Sequence, residues 1–285
     1  MSIPEVALIT DSTCDIPDHL INQYQITVIP QTVIWNDDVL LDRVELSPQD
    51  FYKRLENDPC HPKSTLPAPE SILTAYQNAS QSGARRAMMF TVSSKMSGTY
   101  QLARKLAENS PLPVDVIDGK GPTMSLGWQV IAAARCREDG GNHQDMIQAA
   151  AETRSKMVQF VLMNTMEYLH KGGRIGRAAL MLGSLLDFKP LVEINHQTGI
   201  VEAAGRIRTR HKGIEELWNK FFAKLDLTKN LHIAVLHGNA VQDAQNLADR
   251  ISETYQPAEL LINITGPVLG INTGPGALAL CGYSE

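Results

Sequence analysis

The sequence predicts an α/β protein of two domains, and three observations carry that expectation. Short apolar runs alternate with amphipathic stretches of helical length, the pattern of βαβ units. At 285 residues the chain is long for one core and comfortable for two. Near residue 157 the pattern restarts with the apolar run QFVLMN. The expected division is therefore 1–157 and 158–285, with a largely parallel sheet in the first domain and a mixed sheet in the second.

The elements follow in order. VALITDST is a short apolar run ending in Asp-Ser-Thr, as in a buried parallel strand that delivers polar residues at its C-terminal end. Residues 17–24 read as a short helix with Pro17 in its first turn. ITVIPQTVIW is β-rich, and Asn36-Asp37-Asp38 is a turn. Ser47 and Pro48 start a helix that runs to about Glu56. The segment DPCHPKSTLPAPE is too proline-rich for anything but a loop or extended chain. A helix over 69–82, a strand ARRAMMFTV, a helix over 97–109 and a strand PVDVID come next, then helices over 122–139 and 142–157.

After QFVLMN comes a Gly/Arg-rich stretch, and then AALMLGSLL reads as an apolar helix over 176–186. KPLVEI and GIVEAAGRIR read as two strands of a hairpin turning at Gln197-Thr198-Gly199. A helix over 209–226, the strand LHIAVLHG, the helix AVQDAQNLADRISETY and the strand AELLINIT lead to a Gly-rich tail.

Composition excludes several classes. Net charge is −5, so duplex nucleic acid is a poor partner. The densest basic stretch, Arg206 to Lys212, is short. No window approaches the ~18 apolar residues of a membrane span. The N-terminus lacks a basic region ahead of an apolar run, so the expected location is the cytoplasm. The four cysteines form no C-x-x-C pair and the eight histidines form no H-E-x-x-H motif, so no metal is expected.

Hydroxyls and glycines concentrate at a few junctions. Ser93-Ser94-Lys95-Met96-Ser97-Gly98 follows a strand and opens a helix. Exposed N–H groups and the helix macrodipole favour anions there. Helix capping explains any one of these serines; three serines with Gly98 suit a small anionic group. Ser64 and Thr65 lie in the proline-stiffened loop. Asp11-Ser12-Thr13 sits at a strand end where open α/β sheets place ligands, although an Asx turn explains it as well. Lys171-Gly172-Gly173-Arg174 lacks both Walker and dinucleotide spacing, but Arg174 suits a carboxylate or phosphate. Asn272-Thr273-Gly274-Pro275-Gly276 reads as a turn. No G-x-S-x-G elbow or other catalytic set appears, so binding is favoured over turnover and no catalytic residue is named. Two other readings stay open: a stand-alone hydrolase or phosphotransferase on a small anionic substrate, and a regulatory protein using the basic 206–212 segment.

Taken together, ALITDSTCDIP, SSKMSGTYQLA, YLHKGGRIGRAALMLGSLLDFKPLVEI, RIRTR and TGPGALAL resemble the DegV family in family order along nearly the whole chain. The resemblance implies a two-domain protein that binds a long-chain fatty acid and presents its carboxylate to the ATP-binding subunit of a fatty acid kinase. It implies no cofactor, only the fatty acid as ligand, and allows transient contact with a membrane surface. The carboxylate would rest on Ser64, Thr65, Ser93, Ser94, Ser97, Gly98, Asn272 and Thr273. Arg174 and Arg208 would lie near the head group or the kinase-docking face. The N-terminal domain would supply the carboxylate loops, and the C-terminal domain the acyl pocket and docking segment. Two departures stand out. The family's T-S-Q-P loop is Ser64-Thr65-Leu66-Pro67 here, and its C-terminal His is Asn272, which donates a hydrogen bond but carries no charge.

Overall fold

The computed structural model describes residues 5–181 and 188–285. In chain order the first half contains β1 (Val6–Asp11), α1 (Asp18–Gln23), β2 (Ile26–Ile29), β3 (Thr32–Trp35), β4 (Asp38–Leu41), α2 (Pro48–Asn57), β5 (Lys63–Thr65) and α3 (Pro69–Gln81). It continues with β6 (Arg86–Thr91), α4 (Thr99–Ala107), β7 (Val114–Asp118), α5 (Met124–Glu138) and α6 (His143–Lys156). The second half contains β8 (Val158–Leu162), α7 (Glu167–Gly172), β9 (Lys189–Asn195), β10 (Ile200–Ile207) and α8 (Arg210–Phe222). It ends with β11 (Leu231–His237), α9 (Val241–Tyr255), β12 (Glu259–Ile264), α10 (Pro267–Thr273) and β13 (Leu278–Ser284).

Among the described residues the strands form three sheets. The first is parallel throughout, in the order β2-β1-β6-β7. The second is mixed, in the order β10-β9-β8-β13-β11-β12, with only β11 and β12 parallel. The expected hairpin is β9–β10, with a register shift between Ala203 and Gly205. A small antiparallel sheet, β4-β3-β5, was not anticipated. ITVIPQTVIW, read as one β-rich run, divides at Pro30 into strands of two different sheets. Proline has no N–H to continue a ladder.

The tail also differs from its reading as a turn. Asn272 and Thr273 close helix α10, and Gly274 follows at φ 72. The run ALALCGYS then carries β13, a fully buried strand inside the mixed sheet. The helix read over 176–186 begins as a 3₁₀ turn, Gly176–Met181. Its remainder lies outside the described residues.

Alternation on the mixed sheet explains its two covers. Phe160 and Leu162 of β8, with Val235 of β11, pack on Leu217 and Phe221 of α8 and Leu247 of α9. The opposite face, with Val161, Ala279 and Tyr283, packs on Trp128 and Val130 of α5 and, beyond them, Leu8 and Phe90 of the parallel sheet. Helix α5 is buried from Met124 through Ile131 on every side, because the parallel sheet, the mixed sheet and helix α6 all pack on it. Among the described residues no helix is long and apolar enough to cross a membrane.

Candidate functional site

A cavity of about 210 Å³ lies along the inner face of the mixed sheet. Its walls are apolar because the inward-facing positions of successive strands are aliphatic: Val161 and Met163, Val192 and Ile194, and Leu236. One end is ringed by polar residues from four separate segments. Ser64 and Thr65 come from β5, Ser97 from the turn before α4, Arg174 from the loop after α7, and Asn272 and Thr273 from α10. This end opens to solvent, since Thr65 and Arg174 are exposed while Val161 and Met163 are buried.

Local sequence explains how each is positioned. Ser97 sits one residue before the α4 N-cap, where its hydroxyl pairs with Thr99 Oγ1 at 2.8 Å and accepts from Thr99 N–H at 3.3 Å. The two glycines before Arg174 do different work. Gly173 ends α7 in the left-handed region at φ 72, which favours glycine. Gly172 makes room for Asn272: a Cβ there would stand 2.1 Å from Asn272 Oδ1. Arg174 then folds back, its Nη1 donating to Gly172 O at 2.7 Å. Asn272 Nδ2 donates to Val268 O at 2.9 Å, while its buried Oδ1 has no partner. Thr273 Oγ1 donates to Leu269 O at 3.2 Å.

The other residues singled out from sequence lie elsewhere. Ser93 is fully buried, and its hydroxyl donates to Gly199 O at 2.6 Å, pinning the β9–β10 turn. Ser94 Oγ donates to Asp118 Oδ2 at 2.5 Å and its N–H to Asp118 Oδ1 at 3.0 Å, tying the loop to the end of β7. Gly98 is exposed, and a Cβ there would meet only Leu66 at an ordinary 3.5 Å. Arg208 is exposed just before α8 and does not line the cavity.

Several lining residues were missed: Gln31, Thr123, Gln159, His237 and Thr265. No local motif marks them. Thr13 was noted only as part of a turn, and the turn exists: Asp11 accepts from Thr13 N–H at 3.0 Å and from Val92 N–H at 2.8 Å, which places both residues on the cavity.

A buried ionic cluster braces these segments. Ser12 Oγ donates to Asp42 Oδ2 at 2.6 Å, Asp15 pairs with Arg43, and Gly266 N–H donates to Asp15 Oδ1 at 3.0 Å. Arg43 Nη2 also donates to Ile264 O at 3.0 Å. The cluster thus joins the parallel sheet, the β4 turn and the start of α10. Burial outweighs these bonds for the acids: Asp11 and Asp15 are pushed above the ordinary carboxylate range, and Asp42 up to about 7. Among the described residues no His/Cys/Asp/Glu group is arranged to hold a metal ion.

The architecture is that of an α/β protein enclosing an apolar cavity with a hydroxyl-rich opening. The family model described as "Uncharacterised protein, DegV family" matches residues 5–285. A DegV domain-containing protein of Streptomyces coelicolor is 33% identical, over 96% of this chain and 97% of its own. This chain belongs to the DegV family. Among solved structures, a Thermus thermophilus DegV family protein described for its fatty acid binding superposes with a TM-score of 0.91 at 29% identity, covering 98% of this chain and 99% of its own. Bacillus subtilis DegV, described as a fatty acid binding protein, shares the fold with a TM-score of 0.90 at 24% identity, covering 99% of this chain and 100% of its own.

Proposed function

We propose that this protein binds one long-chain fatty acid, with the acyl chain in the cavity and the carboxylate at its hydroxyl-rich end. The observation that carries this reading is convergence: six residues from four distant segments meet at the open end of one apolar cavity. In this reading the carboxylate accepts from Ser64, Thr65, Ser97 and the second amide hydrogen of Asn272, with Arg174 as the nearby cation, while Thr273 lines the site with its hydroxyl donated to Leu269 O. Ser93, Ser94 and Gly98 act indirectly, by holding the loop that carries Ser97. Residues 1–157 supply three of the hydroxyls, and residues 158–285 supply most of the chain wall.

Energetics favour such a ligand. Each buried CH₂ contributes about 0.8 kcal/mol, so a palmitoyl-length chain contributes on the order of 10 kcal/mol before ordering costs. The fatty acid binding described for the Thermus thermophilus relative supports the same assignment. The stand-alone hydrolase reading rests on Ser97 and Arg174 alone, because the Ser93 and Ser94 hydroxyls already donate to Gly199 and Asp118.

We further propose that the bound acid is presented to a separate fatty acid kinase subunit. Arg174 and Arg208 are both exposed and suit an acidic docking face. Denaturing extraction of purified protein followed by mass spectrometry tests the first step. One fatty acid per chain is the expected result; an empty protein that also refuses added fatty acid would sink the assignment.

A further inference from the structure

We infer that the preferred acyl chain carries a hydroxyl group in the half remote from its carboxylate, held by Gln159 and Thr123 at the cavity floor. This rests on the fatty-acid reading above and narrows the ligand within it. Gln159 lies on β8, is 1% exposed and lines the cavity. It shares a face with Val161 and Met163 and lies about 13 Å from Met163 along the strand. Asn164, the residue after Met163, donates to Pro275 O two residues beyond Thr273, which puts the polar opening at the Met163 end. Thr123 lines the same region.

A site for a saturated chain calls for an aliphatic residue at that depth. The amide instead makes one bond, Nε2 donating to Thr123 Oγ1 at 2.8 Å, and its Oε1 is buried without a partner. An unpaired buried polar atom costs about 1–3 kcal/mol. Turning the amide over does not remove the deficit. Oε1 would then accept from the Thr123 hydroxyl, and the Nε2 donor would be left over. A ligand hydroxyl both donates and accepts, so it completes either arrangement.

Charge selects the hydroxyl over a second carboxylate. Arg174 is the only arginine or lysine among the described residues lining the cavity, and it stands at the exposed end. A carboxylate at Gln159 would be buried without a counter-ion, which is far more unfavourable than burying a hydrogen-bonded hydroxyl.

The test is competition binding to the full chain, using stearate, a hydroxystearate substituted in the remote half, and α-hydroxystearate. The expected result is that the remotely hydroxylated acid binds at least tenfold tighter than stearate while α-hydroxystearate does not. Gln159→Met should bind stearate and lose that preference. Stearate binding wild type as tightly as the remote hydroxy acid would overturn the inference while leaving fatty acid binding intact. A preference that survives in Gln159→Met would overturn it too. If that variant does not fold, the wild-type comparison decides alone. Failure of all three acids to bind would overturn the underlying assignment and this inference with it.

Discussion

Gly172 and Asn272 illustrate how a single missing methyl shapes the head-group end. The side chain of Asn272 occupies the space a Cβ on Gly172 would need, at 2.1 Å. Gly172→Ala therefore forces either α7 or Asn272 to move. Overpacking of this kind costs about 1–3 kcal/mol, and thermal unfolding should register it. Adding Asn272→Ala removes the obstruction, so the double variant should recover most of the loss; equal instability of single and double variants would contradict the contact. Ser97 makes a second residue-scale case. Its hydroxyl lines the cavity and is not donated to any carbonyl, unlike those of Ser93 and Ser94. Ser97→Ala is expected to weaken fatty acid binding about tenfold, the loss of one charge-assisted hydrogen bond. Isothermal titration would show this, and an unchanged affinity would remove Ser97 from the carboxylate site.

At the scale of elements, the start of α5 is a point of backbone strain. Thr123 stands at φ 60, ψ −145, a region that side chains with a Cβ rarely adopt. Such a residue costs on the order of 1–3 kcal/mol. It is held there by its N–H bond to Thr13 O at 2.7 Å and by the Gln159 amide on its hydroxyl. Thr123→Gly and Thr123→Ala both delete the hydroxyl, but only glycine relaxes the backbone. The glycine variant should be the more stable by about 1 kcal/mol. Denaturant unfolding giving the reverse order would show that the backbone there is not strained. The β4 turn offers a parallel case, because Asp42 and Arg43 dock it onto two other elements through buried polar bonds. Its acidity makes that docking sensitive to pH.

At the scale of the whole molecule two buried groups oppose each other: Asp42 lowers stability as pH rises through the weakly acidic range, whereas His196, whose burial pushes it down to about 4, raises it between that value and its ordinary 6.5. Asp42 in the folded protein holds its proton up to about 7, against an ordinary value of 3.8. At this site the folded state then binds more protons than the unfolded chain between these values, so its contribution to ΔG of unfolding falls across that window. The penalty is absent below the unfolded value and complete above the folded one. Asp11 and Asp15 act in the same direction. Unfolding midpoints of wild type and Asp42→Asn measured from pH 4 to 8 should diverge, the variant gaining on wild type as pH rises; a difference that stays constant over this range would refute the assignment. Ligand linkage gives a second molecular-scale expectation. Val161 sits mid-wall on the inner face of the mixed sheet. Val161→Trp fills the cavity, so on the proposed reading the variant should purify without fatty acid where wild type carries one, and added fatty acid should no longer raise the melting temperature. Retention of stoichiometric lipid would place the acyl chain elsewhere.

What the sequence determined by itself was local and periodic. Alternating apolar runs announced the strands, and Ser47 with Pro48 announced α2, where Ser47 Oγ accepts from Asp50 N–H at 3.1 Å. The hairpin of β9 and β10 and the segments bearing Ser64, Thr65, Ser97, Arg174, Asn272 and Thr273 were also legible there, because turns and helix ends advertise themselves in residue type. Tertiary structure alone decided the rest. A serine at a helix start can cap, pin a neighbouring turn or face a cavity, and Ser93, Ser94 and Ser97 divide these tasks according to which distant carbonyl or carboxylate lies within 3 Å. Strand β13 was obscured by the Gly/Pro turn ahead of it and by its small Ala279 and Gly282, and its place shows only once β8 and β11 flank it in the mixed sheet and α5 packs on it. Gln159 gave no signal at all, since one polar residue in an apolar strand acquires meaning only from the opposite wall. These outcomes depend on contacts between residues far apart in the chain, and no local pattern encodes which partner a buried polar group will meet.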